Sequence, residues 1–158
     1  MVEQDGILFL LRQNKIPSCS TGRTWLPFHK MKLWLGILFG GACGTGCRYG
    51  LSLLINSWLG ARAFPWATLV INVTGSFLIG LIVELHQAQV FSSVTWRLAL
   101  VTGLLGGYTT FSAFSLENLQ LLRNGAMGSA LAYAVGSVML GVSAAWSGMR
   151  AAQVLAGT

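Results

Sequence analysis

Thr68, Asn72 and Ser76 recur at four-residue intervals inside an otherwise apolar stretch, so a helix would set two hydroxyls and a carboxamide on one face. An unpaired side-chain amide in hydrocarbon costs roughly 4 to 8 kcal/mol on the stricter transfer scales. Asn72 must therefore meet either a helix partner or a wet path, and this stretch alone leaves both readings open. A second constellation is Gly106-Gly107-Tyr108-Thr109-Thr110-Phe111-Ser112-Ala113-Phe114, a glycine pair followed by two β-branched residues in the middle of a hydrophobic run. If the helix breaks there, carbonyls lose their partners and become available to a cation, and N–H groups become available to an anion or water. The competing reading is an intact helix packed through its glycines, which a lone Gly-Gly would favour and this longer motif does not. Phe111 and Phe114 would project to one side where winding resumes, offering electropositive ring edges to an anion or forming a core aromatic pair. Glu117, three residues on, demands hydrogen-bonded or aqueous surroundings at such a depth. A third set, Ser129, Tyr133, Ser137 and Gly141, shares a helix face; its hydroxyls either glue helices together or form a ladder of donors.

The elements that must position these groups are membrane helices. Of 158 residues, 54% are apolar and only 9% charged, and mean hydropathy is +0.65, which excludes an ordinary soluble domain. A span needs about 17–25 apolar residues, and four stretches supply them, at about 33–53, 66–86, 98–122 and 127–148. Four such helices leave little interior volume, so a permeation path would need a second copy. The net charge of +6 is carried by residues at the ends of the apolar runs and reads as interface anchoring, with no nucleic-acid partner. Lys30, Lys32, Arg97 and Arg150 fall on one side and Arg48, Arg62 and Arg123 on the other. Four against three is compatible with insertion in both orientations, and hence with an antiparallel homodimer.

Residues 1–30 are polar and irregular apart from Gly6-Ile7-Leu8-Phe9-Leu10-Leu11. Glu3 and Asp5 precede that patch where a signal peptide carries basic residues, so the segment reads as a dispensable extension, either disordered or created by an early start codon. Residues 31–150 form the four-helix domain and 151–158 a short tail. Gly36, Gly40 and Gly44 line one face of the first span and predict close helix approach. Gly128, Ala132 and Gly136 suggest the same for the fourth. A nucleotide loop at Gly40–Gly46 is rejected, because Cys47 stands where lysine is needed and no strand precedes it. Cys19, Cys43 and Cys47 lack the histidines or further cysteines of a metal site and read as packing residues. Pro65-Trp66 opens the second span, Glu84 and His86 close it at the interface, and Arg48 by itself reads as a snorkelling arginine.

Three segments together carry a resemblance: Gly40 to Tyr49, Thr68 to Phe77, and Gly103 to Phe114 followed by Glu117-Asn118. In their order and spacing, from about Met31 to Arg150, the chain resembles the Fluc, or CrcB, family of fluoride channels. Tyr108 and Ala113 depart from the pattern at tolerant positions, and Gly141 interrupts the fourth-span hydroxyl ladder. The resemblance implies an all-α integral membrane protein of four transmembrane helices, the third broken at mid-membrane, assembled as an antiparallel dual-topology homodimer in a bacterial inner membrane. It implies a structural, untransported sodium ion held by the backbone carbonyls of Gly106 and Thr109 from both copies. It also implies passive fluoride export, with Asn72, Phe111 and Phe114 facing the ion, Thr110, Ser112, Tyr133 and Ser137 as candidate donors, and Arg48 at the mouth. Thr68 and Glu117 would support the path. A small multidrug antiporter is the main alternative, being another four-span dual-topology dimer, but its proton exchange needs a membrane carboxylate in the first span, where this chain has none. An enzyme is disfavoured because Ser112 has no neighbouring His or Lys base in the sequence.

Overall fold

The computed structural model describes residues 28–60, 64–90 and 93–157, all of whose regular structure is helical. α1 (Phe28–Leu59) is followed by α2 (Trp66–Gln87). The third run starts as α3 (Val94–Leu98), widens into a π-helix at Ala99–Leu105 and returns to a single α-turn, α4 (Gly106–Tyr108). Winding stops at Thr109 and Thr110, whose φ/ψ values of −82°/157° and −151°/117° are extended, and resumes as α5 (Phe111–Arg123). A tight turn with Gly125 at φ 72° leads to α6 (Met127–Ala156). The expected extension at residues 1–30 lies outside the described residues as far as residue 27, and α1 already includes 28–30. The expected tail is helical through Ala156.

Among the described residues, three helical stretches are long and apolar enough to cross a membrane: Trp66–Gln87, Val94–Arg123 and Met127–Ala156. This is a multi-pass membrane protein. α1, at 32 residues, has ample length, but glycines and Arg48 dilute its apolar character.

The glycines set how the helices cross. A Cβ on Gly40 would lie 2.6 Å from the Ala99 carbonyl oxygen, and one on Gly44 would collide with the Leu104 carbonyl. Gly103 and Gly107 return the contact against the backbone of Ile37 and Gly41. Contacts advance in the same direction along both elements, so α1 and the third run lie parallel; their backbones touch, which is the close approach the first-span stripe predicts. The fourth-span stripe takes no part in the crossing of α6 with α2. Among the described residues nothing comes within 4 Å of a Cβ placed on Gly128 or Gly136; α6 meets α2 through Gly148, against Phe77 and Leu81, and through Gly80, against Ala145. A repeat of small residues marks a face that can pack closely, and α6 carries two such faces.

Apart from these crossings the protomer buries little. Its tight apolar cluster is Leu69, Leu121, Ala130 and Tyr133, with Phe64, Val73, Phe114 and Ala126 packed on it. Large apolar side chains such as Leu38, Phe39, Trp58, Val138 and Leu155 face outward, as a lipid-embedded protein requires.

Candidate functional site

The break is held by one side chain. In an unbroken helix the Thr110 N–H would close on the Gly106 carbonyl. It is instead given to Asn72 Oδ1 at 2.9 Å, while Asn72 Nδ2 donates to the Thr110 carbonyl at 3.1 Å. Asn72 thus satisfies both polar groups of one extended residue and keeps a second N–H to spend. Below the break, the Leu105 carbonyl accepts from the N–H and from Oγ1 of Thr109, each at 2.9 Å. Above it, Thr110 Oγ1 caps α5 by accepting the Ala113 N–H at 3.2 Å. Gly75, one turn beyond Asn72, makes the approach possible, because a Cβ there would strike the Thr109 methyl group. The Thr74 and Tyr108 hydroxyls, 2.9 Å apart, tie the same two elements together.

A cavity of about 390 Å³ opens on one side of the break. Its lining brings together Asn72, Gly106, Thr109, Thr110, Phe111, Phe114 and Ser137, seven of the residues expected to form the site. The Phe111 and Phe114 rings lie 5.6 Å apart, and Phe111 is 79% exposed, so its outer face is left open by the described residues. Ser137 Oγ is buried without a hydrogen-bond partner. A buried hydroxyl in that condition is a group waiting for a ligand or a water.

The other expected residues lie across the break. A second cavity, also about 390 Å³, is lined by Arg48, Thr68, Thr110 and Glu117 among others, so Thr110 borders both. Glu117 accepts from Thr68 Oγ1 at 2.7 Å and from the Tyr133 hydroxyl at 2.8 Å. Tyr133 is fully buried, its ring tilted 53° to that of Phe114 at 5.0 Å and edge-on to Phe64 at 5.5 Å, with its hydroxyl donating to Glu117. Ser112 is exposed, and its hydroxyl lies 3.2 Å from Thr110 Oγ1. Glu117 also borders a third cavity of about 410 Å³, whose lining includes Asn56 and Asn124.

Among the described residues no group of His, Cys, Asp or Glu could hold a metal ion. Oxygen donors for a hard cation are present in another form, as carbonyls at the break deprived of their helical partners. Sequence reasoning missed Ser76, which lines the first cavity, and the clasp between Asn72 and Thr110, which are 38 residues apart. Ser76 was legible only as a member of the polar face that also carries Thr68 and Asn72.

A multi-pass helical membrane protein whose broken third run is pinned by a half-buried carboxamide, with cavities bordering the break, has the build of an ion-path protein. Residues 35–149 match the family described as CrcB-like protein, Camphor Resistance (CrcB), and the chain belongs to that family. It is 47% identical over 127 residues to a fluoride-specific ion channel FluC of Thermus thermophilus, covering 80% of this chain and all of the relative. It is 45% identical to the FluC of Nitrobacter winogradskyi, over 77% of this chain and 95% of the relative. With the FluC of Rhizobium meliloti it shares 49% identity, over 70% of this chain and 87% of the relative.

Proposed function

We propose that the chain is a fluoride-specific channel that passively exports fluoride across a bacterial inner membrane, lowering its cytoplasmic concentration. The observation that carries this reading is the cavity in which Asn72, Phe111, Phe114 and the unpartnered Ser137 hydroxyl converge. A small anion holds its water strongly, so the path must replace the shell it strips, and narrow donor spacing then favours fluoride over chloride. The spare Asn72 N–H, the ring edges of the phenylalanine pair and the Ser137 hydroxyl supply such a replacement. Arg48 at the second cavity concentrates anions at the mouth. Thr110 and Ser112 offer further hydroxyls beside the break, and Tyr133 reaches the path through Glu117.

In this reading α1 is the fourth span, and two copies assemble antiparallel with their broken helices crossing. The outward face of Phe111 supports a second copy there. The carbonyls of Gly106 and Thr109 from both copies would hold one structural sodium ion. When bound, it supplies positive charge that balances the converging carbonyl dipoles. Glu117 already accepts two hydroxyl hydrogen bonds, which suits a fixed support better than the freely exchanging carboxylate an antiporter needs.

The test is an ion-selective electrode assay of fluoride and chloride efflux from proteoliposomes. Rapid fluoride release with little chloride release is expected. Release of fluoride no faster than from empty vesicles overturns the reading.

A further inference from the structure

The hydroxyl ladder on α6 stops short. Tyr133 and Ser137 are followed, four residues on, by Gly141, which offers no donor. Ser76 of α2 stands against that gap: a Cβ built on Gly141 would lie 3.5 Å from Ser76 Oγ, at ordinary contact distance. Ser76 and Ser137 line the same cavity, from different helices, together with Asn72. Resting on the channel reading above, we propose that Ser76 supplies the path's next hydroxyl, so that the ion passes from the α6 ladder to α2 at Gly141.

Hydrogen bonding allows the transfer. Ser76 Oγ donates to the Asn72 carbonyl at 2.8 Å, one turn back on its own helix. That carbonyl also receives the helical Ser76 N–H, so the hydroxyl can turn toward an anion without orphaning an acceptor. The other cavity hydroxyls are differently placed. Thr110 Oγ1 is held by the α5 cap, and Thr109 Oγ1 closes on Leu105 below the break. Gly141 is then a missing donor at an open position, where a Cβ would meet Ser76 Oγ at ordinary contact distance and little else.

The test moves the hydroxyl from one helix to the other. Fluoride and chloride efflux are compared for the wild type, Ser76→Ala and the double variant Ser76→Ala/Gly141→Ser, each shown by size exclusion to keep the wild-type assembly. Loss of one donor at a dehydrated ion should slow fluoride about tenfold in Ser76→Ala. The double variant, whose new side chain meets only the vacated position, should regain most of that loss with selectivity intact. Unchanged flux in Ser76→Ala, beside an active wild type, overturns the inference alone. A slowed single variant that Gly141→Ser does not rescue also overturns it, because Ser76 would then act only by holding α2. A wild type that releases no fluoride overturns the channel reading and this inference with it.

Discussion

Asn72 is at once a structural clasp and the donor nearest the break. Replacing it by Ala leaves the Thr110 N–H and carbonyl without their partner, at about 1–3 kcal/mol for each orphaned group. Fluoride efflux from Asn72→Ala should fall by about a hundredfold or more, with thermal stability falling alongside. Asn72→Asp separates the two roles. Its carboxylate can still accept the Thr110 N–H, but it loses both amide donors, the one to the Thr110 carbonyl and the spare one, and adds a negative charge, so vesicle flux should vanish while the half of the clasp made to the Thr110 N–H survives. At Glu117, Tyr133→Phe or Thr68→Val each strips one donor from the carboxylate and should lower Tm in detergent by about 2–6 °C. At this scale the sequence revealed which residues are polar at depth and that Asn72 needed a partner. It could not reveal that the partner is a backbone residue 38 positions away, because that choice is made by the crossing of two distant helices.

The break was legible as an element because glycines and paired β-branched threonines interrupt a run otherwise fit to span the membrane. The π-helix at Ala99–Leu105 just before it was not, since its widened turns have no composition of their own and arise where the third run presses against the α1 glycines. The small-residue faces of α6 show the same limit: spacing exposes both faces equally, and only packing selects Gly148 over Gly136. Gly148→Val should therefore push α6 off α2 at a cost of about 1–3 kcal/mol or more. Gly136→Ala, facing nothing among the described residues, should leave the melting temperature unchanged or raise it through better helix propensity. Thermal denaturation of the two variants side by side checks the contrast.

For the molecule as a whole, composition alone established a helical membrane protein, and the motifs led to its family. How many copies act together was beyond both, because an apolar surface facing lipid and one facing a second protomer have the same composition. If sodium braces the proposed pair of copies, replacing it on both sides of the vesicle with a large organic cation should slow fluoride efflux and shift the protein toward the single-copy size on size exclusion. Restoring sodium should recover both. The glycine crossings bear on how such a protein responds to warming. Where α1 meets the third run and α2 meets α6, main chain rests on main chain at the crossing glycines, which leaves those crossings little slack. A passage framed by such close-set helices resists sliding at the crossings, so its traffic should quicken on heating with the shallow temperature coefficient of diffusion, not the steep one of a moving gate.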